Sequence, residues 1–104
     1  MGEVDEPETG RLVLAEVLHA LSDPTRLAVV TQLSDAGEMS CGNLAVTVAK
    51  STLSQHLRVL REAGVTHTRR DGNQRWLSLR RVDLDRRFPG LLDSVLGALV
   101  RIDS

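Results

Sequence analysis

The spacing of apolar residues changes abruptly at Gly64, and this change limits the folds open to the chain. Before Gly64, leucines recur at helical spacing over residues 52–63, and glycine itself suits a left-handed helix end. After it, residues 65–70 and 74–80 alternate with a period of two around Asp71-Gly72, a hairpin-turn sequence. The sequence therefore predicts a helix followed directly by a β-hairpin.

Helical patterns also cover four other parts of the chain, which are residues 11–21, 24–34, 43–49 and 83–103. Asp23 and Pro24 form a strong helix start, because aspartate accepts from free N–H groups and proline has none to satisfy. Pro89-Gly90 is expected to break the last segment, and residues 38–40 are expected to be extended. The predicted fold class is mainly α with a small β-hairpin wing.

The 104 residues, 41% of them hydrophobic, are enough for one compact domain. We expect residues 1–10 to be a disordered acidic tail and residues 11–104 to be that domain. The net charge is only −1, but residues 50–81 carry eight basic side chains against two carboxylates, an excess of six. A polyanion responds to such a local field rather than to the total charge.

The composition argues against several other classes of protein. Aromatic residues make up 2% of the chain, so stacking platforms for single-stranded bases are not expected, and a nucleic-acid partner should be a duplex. No apolar run is long enough to span a bilayer, so a cytoplasmic protein with no membrane partner is expected. With no recognisable catalytic set and no glycine-rich phosphate loop, the sequence does not predict an enzyme.

The predicted helix over residues 52–63 has a polar face opposite its leucines. Serine, threonine, glutamine and arginine on this face can bond base edges or phosphates, and basic side chains around the hairpin tip can reach the neighbouring backbone. Together, helix and hairpin predict a winged helix-turn-helix. The predicted DNA contacts are Lys50, Ser51, Thr52, Ser54, Gln55, His56, Arg58, Arg69, Arg70, Asn73 and Arg75.

The first and last helical segments carry more apolar surface than one small core needs. Residues 11–21 are apolar around most of the helix, and the last segment has a heptad-like seam that continues to Ile102. We therefore expect a homodimer formed through these two helices. The predicted interface residues are Leu12, Leu14, Leu18, Phe88, Leu92, Val95 and Leu99.

Two motifs in the chain resemble the ArsR/SmtB family of bacterial repressors. They are residues 21–27, Leu-Ser-Asp-Pro-Thr-Arg-Leu, and residues 51–65, Ser-Thr-Leu-Ser-Gln-His-Leu-Arg-Val-Leu-Arg-Glu-Ala-Gly-Val. The resemblance extends over residues 11–96 and implies a dimeric winged-helix repressor of a palindromic operator, with residues 51–58 contacting the DNA. Asn73 stands where the family often has arginine.

Many members of this family sense metals, and the usual ligand positions can be compared with this chain. One thiolate type resembles Glu-Leu-Cys-Val-Cys-Asp-Leu, whereas residues 38–44 are Glu-Met-Ser-Cys-Gly-Asn-Leu. Ser40 and Gly42 occupy the two ligand positions, and Cys41 lies between them as a predicted core residue. We expect no metal at this site.

The second common metal site of the family uses histidines on the last helix, and no histidine follows His67. His19, Glu16 and Asp23 have ligand spacing, but a solvated charge cluster is the preferred interpretation. No cofactor or metal is therefore predicted, and the effector is unknown.

Two alternative functions stay open from the sequence. The same fold could respond to a metal or a thiol-reactive signal through Cys41, the single cysteine. It could also be a winged-helix protein-interaction module that does not bind DNA, in which case its binding should depend little on salt.

Overall fold

The computed structural model describes residues 6–103, with side chains for residues 6–99. The helices are α1 (Leu14–Ala20), α2 (Pro24–Ala36), α3 (Lys50–Ala63), α4 (Arg81–Arg87) and α5 (Leu91–Asp103), and the strands are β1 (Glu38–Ser40), β2 (Thr66–Asp71) and β3 (Gln74–Leu79). This mainly helical fold with a β wing confirms the predicted class.

Local signals place most of these boundaries. Asp23 accepts a hydrogen bond from the backbone N–H of Arg26 at 3.0 Å, and Pro24 occupies the first turn of α2. Gly64 ends α3 in the left-handed conformation, with φ 87° and ψ 15°. The break at Pro89-Gly90 separates α4 from α5 as predicted.

The wing is a three-stranded antiparallel sheet in the order β1-β3-β2. Asp71 pairs with Gln74, so the two-residue turn is Gly72-Asn73, one residue later than the predicted Asp71-Gly72. Glycine at position 72 provides the positive φ, 63°, that this turn requires.

The predicted helix over residues 43–49 is wrong. The chain forms a short 3₁₀ turn at Cys41–Asn43 and then continues without helix to Ala49. Residues 46–48 are Val-Thr-Val, whose β-branched side chains lose rotamer freedom in a helix. The side-chain amide of Gln32 bonds both the N–H and the carbonyl of Ala45 at 2.9 Å, and thereby satisfies backbone groups that a helix would otherwise pair.

The core lies where α1, α2 and α3 meet the wing and the last two helices. The largest fully buried side chains come from nearly every part of the chain, and they are Leu12, Val17, Val29, Val30, Leu33, Leu60, Val65, Thr66 and Leu92. Leu77 of β3 and Leu84 of α4 join the same cluster. The sheet and α3 are therefore held in a fixed relative position by shared packing.

Residues 6–10 contact the domain, whereas residues 1–5 of the predicted disordered tail lie outside the described residues. The Glu6 carboxylate accepts from the backbone N–H of Thr68 at 2.8 Å and lies 2.6 Å from Nδ1 of His67. Thr9 donates to Asp83 at 2.6 Å. Because β2 is an edge strand, Glu6 satisfies a backbone donor that would otherwise face solvent.

Candidate nucleic-acid interface

Helix α3 presents one polar face to solvent. Its leucines turn toward the core, with Leu60 fully buried and Leu53 and Leu57 half-buried. The predicted contact residues on the other side are exposed, and they are Lys50, Ser51, Thr52, Ser54, Gln55 and Arg58. Ala49 stands at the N-cap and offers no side-chain acceptor, so the first N–H groups of α3 have no cap.

A groove separates α3 from the wing, and we call it the wing groove. It encloses about 1180 Å³ and is lined by the 3₁₀ turn, by α3 and by the hairpin. Its charged lining residues are Lys50, Arg58, Arg61, Arg70, Arg75 and, as the one carboxylate, Glu62. The helix and the hairpin thus bring five of the eight basic side chains of segment 50–81 to one surface.

Two arginines face each other across the hairpin. Arg70 of β2 pairs in register with Arg75 of β3, and both side chains are exposed. Like charges placed directly opposite on a sheet destabilise it. The ion pairs found in the described part of the chain include neither of these arginines, so the positive charge of the pair is available to a ligand.

Arg69 lies on the opposite side of the hairpin from Arg70, because successive strand residues point to opposite faces. Its guanidinium donates twice to Glu38, at 3.2 and 3.0 Å, and lies 5.7 Å from the ring centre of Trp76. The hydrogen bond from Arg69 lowers the pKa of the Glu38 carboxyl. The structure thus places Arg69, a predicted DNA contact, in a link between β1 and β2 on the face away from Arg70.

His56 also differs from its predicted role. Its ring turns toward the start of α2, where Nδ1 lies 3.1 Å from a guanidinium nitrogen of Arg26. Only 17% of the His56 side chain is exposed. The structure thus places His56, a predicted DNA contact, against α2 and not on the exposed face of α3; its position at the border of the two helix faces gave no indication of this partner.

Arg61 is a groove residue that the predicted contact set omitted. It lines the wing groove one turn beyond Leu57, and its Nε is buried without a hydrogen-bond partner among the described residues. Arg58 is exposed and donates to Glu62 at 2.9 Å, an interaction that raises the pKa of Arg58. Helical spacing places Arg58 and Arg61 on neighbouring positions of one face, which is the signal that could have identified Arg61.

The other basic residues of segment 50–81 have structural partners. Arg80, with only 10% of its side chain exposed, donates to Asp83 at 3.1 Å and also to the carbonyl of Pro7. Arg81 bonds Asp93 of α5 at 2.8 Å. These contacts join α4 to its neighbours, so the charge excess of the segment is concentrated in the wing groove.

The predicted dimer residues divide into two groups. Leu12 and Leu92 are 1% and 2% exposed within the chain itself, so they belong to its own core and add no area to a partner. Leu14 and Leu18, each 46% exposed, lie one turn apart on α1. Phe88, Val95 and Leu99 are half-buried, and the side chain of Ile102 lies outside the described residues.

Ser40 and Cys41 belong to the segment that was compared with the metal-binding segment of the family, and neither side chain is fully exposed. Ser40 is buried, and Cys41 is half-buried, which raises the pKa of its thiol. Among the side chains of residues 6–99, no three histidine, cysteine, aspartate or glutamate groups lie together in a way that could hold a metal ion. No helix of that part of the chain is long and apolar enough to cross a membrane.

An exposed polar helix face, an adjoining hairpin and the basic groove between them define a class of protein, the winged helix-turn-helix DNA-binding proteins. The comparisons with known proteins agree. A helix-turn-helix domain family matches residues 21–69. The transcriptional repressor BigR of Xylella fastidiosa has a similar structure, with a TM-score of 0.68 and 35% identity over 86% of this chain and 84% of BigR.

Two curated relatives identify the family more closely. The chain is 38% identical over 86 residues to the uncharacterised HTH-type transcriptional regulator YceK of Bacillus subtilis, a match that covers 80% of this chain and 86% of YceK. It is 34% identical over 73 residues to the arsenical resistance operon repressor of Staphylococcus aureus, covering 69% of this chain and 70% of that repressor. The chain belongs to the ArsR/SmtB family of DNA-binding transcriptional regulators, as its two motifs predicted.

Proposed function

We propose that this regulator represses transcription in the cytoplasm as a homodimer that binds a palindromic operator, with one wing groove on each half-site. In each subunit the exposed face of α3 enters the major groove, and the hairpin contacts the backbone beside it. The proposed contacts are Lys50, Ser51, Thr52, Ser54, Gln55, Arg58, Arg61, Arg70, Asn73 and Arg75. Two similar proteins, BigR and the arsenical resistance operon repressor, are named as repressors, which supports repression over activation.

The observation that carries this proposal is that Arg70 and Arg75 lie opposite each other in the lining of the wing groove and have no ion-pair partner among the described residues. In the free protein the two charges repel one another, and this repulsion lowers the stability of the hairpin. A phosphate between them turns the repulsion into attraction and releases counterions from the DNA. The geometry therefore favours a polyanion over an uncharged protein partner.

The N-terminus of α3 supports the same orientation. Ala49 provides no side-chain cap, and the first turn carries no acidic residue. The free N–H groups and the positive end of the helix dipole therefore favour an anion at this end. Lys50 and Ser51 stand at the same end and can bond the same phosphate.

The dimer is supported by the exposed apolar surface of α1. Leu14 and Leu18 are each about half exposed, and Val13 beside them is 47% exposed. On α5, Val95 and Leu99 keep part of their surface open. Burying such residues against a second copy removes them from water, at a gain of about 25 cal/mol per Å² of apolar surface.

The proposed DNA contact can be tested on duplexes that the wild-type protein selects from a random library. We expect Gln55→Ala and Arg58→Ala each to weaken binding by roughly 1–3 kcal/mol and to leave the unfolding free energy nearly unchanged. Arg86→Ala is the matched control, because it removes a charge from α4, away from the wing groove. Wild-type affinity in both α3 variants would exclude this face as the contact surface.

A further inference from the structure

A buried arginine of α2 contacts both α1 and α3. Arg26 of α2 is 8% exposed. Its Nε donates to the carbonyl of Ala20 at 2.8 Å and its Nη2 to the carbonyl of His19 at 3.1 Å, both in the last turn of α1. Its Nη1 lies 3.1 Å from Nδ1 of His56 on α3. One side chain thus contacts the end of α1 and the middle of α3.

The chemistry of the contact assigns the histidine tautomer. A guanidinium has only donors, so Nδ1 of His56 must accept the hydrogen bond, and the ring proton lies on Nε2. Asp23, whose Oδ2 is 3.7 Å from the same Nδ1, is too far away to be a hydrogen-bond partner. Nδ1 of His56 is therefore the acceptor in this arrangement and is directed at Arg26.

This contact fixes the orientation of α3. His56 follows Gln55 directly and precedes Arg58 by two residues. Any rotation of α3 that moves the proposed DNA contacts Gln55 and Arg58 therefore also moves the imidazole ring of His56 away from Arg26. Breaking the contact would leave a donor of buried Arg26 without a partner, which carries a desolvation cost. The free protein therefore already holds α3 in one orientation, and less ordering is needed on binding.

We propose that Arg26 and His56 are positioning residues that set the orientation of α3 relative to α1, and thereby the half-site spacing that the dimer accepts. The inference rests on the proposed function, since α1 carries the proposed dimer contacts Leu14 and Leu18. The Arg26 side chain connects that helix to α3 through His56, and it is itself buried.

The test compares His56→Ala with His56→Asn. In asparagine, Oδ1 is separated from Cβ by the same number of bonds as Nδ1 in histidine, so it can accept from Arg26, whereas alanine cannot. Each protein is titrated with a duplex selected by the wild-type protein and with duplexes whose half-sites are one base pair closer or farther apart. Unfolding by urea establishes that each variant is folded.

We expect His56→Ala to lose about tenfold in affinity for the selected duplex because α3 must be ordered on binding. It should also discriminate less between spacings, while the slope of affinity against salt stays unchanged because no phosphate contact is lost. His56→Asn should recover most of both properties. In the wild-type protein, ¹⁵N shifts of the His56 ring should show the proton on Nε2.

Three results would overturn the inference, and they differ from a failure of the proposed function. If His56→Ala and His56→Asn lost affinity equally and changed the base preference, His56 would be a direct base contact. A His56→Ala protein with wild-type affinity and spacing preference would exclude a positioning role, as would a ring proton on Nδ1. A wild-type protein that selects no duplex would instead refute the proposed function, and the inference with it.

Discussion

Substituting Gly64, where α3 gives way to the wing, should destabilise the protein through two separable effects. Its φ of 87° lies in the left-handed region, where a side chain costs roughly 1–2 kcal/mol. A Cβ there would also overlap Cδ2 of Leu12, which is 1% exposed and has little room to move. Overpacking of this kind costs typically about 1–3 kcal/mol. We therefore expect Gly64→Ala to lower the free energy of unfolding by about 2–5 kcal/mol.

A double-mutant cycle with Leu12→Val separates the two effects. Valine has no δ-carbon, and the remaining Leu12 atom near the added Cβ is Cγ at 3.4 Å, an ordinary contact. In urea denaturation, Gly64→Ala should therefore cost about 1–3 kcal/mol less in the Leu12→Val background than in the wild type. Equal costs in the two backgrounds would refute the packing of Leu12 on Gly64. A cost near zero in both would refute the left-handed helix end as well.

Two further predictions follow from the ends of α1 and α2. The hydrogen bond from the Arg26 N–H lowers the pKa of Asp23 below its ordinary 3.8, so this carboxylate stabilises the fold above that pH, and the contribution is lost as pH falls through the lowered pKa. Urea titrations between pH 5 and pH 2.5 should accordingly show a shallower acid loss of stability in Asp23→Asn than in the wild type; parallel curves would contradict this. Leu18→Glu should give a folded monomer in sedimentation, whereas Val82→Glu, at an exposed position of α4, should leave the dimer intact. A Leu18→Glu dimer would show that the interface lies elsewhere.

The elements that the sequence predicted correctly are those specified by local chemistry. Asp23 and Pro24 start α2, and Gly64 ends α3, because capping and left-handed backbone depend on the residue itself and its immediate neighbours. The hairpin follows from its period of two and its glycine. In the segment 43–49, where a helix was expected, the backbone N–H and carbonyl of Ala45 instead bond Gln32, a partner on α2 that no local pattern reveals.

In the candidate site too, the local sequence predicts the face on which a residue lies but not the distant residue that it contacts. Period two predicts that Arg69 and Arg70 lie on opposite faces, but not that Glu38 holds Arg69 on the face away from the groove. Helical periodicity placed His56 at a border, yet its orientation depends on Arg26, thirty residues earlier. For Leu12, an apolar pattern does not separate a residue buried in its own chain from one buried by a partner.

The hairpin also explains how a chain of net charge −1 can attract DNA. On the face away from the groove, Glu38 neutralises Arg69, and Glu6 lies against His67. On the groove side, Arg70 and Arg75 have no ion-pair partner among the described residues. The carboxylates therefore reduce the positive field on the face away from α3, whereas in the groove Glu62 pairs with Arg58 and leaves the charges of Arg70 and Arg75 unbalanced. Because screening confines these fields to about 10 Å at 0.1 M salt, the position of the charges and not their sum decides which surface meets the duplex.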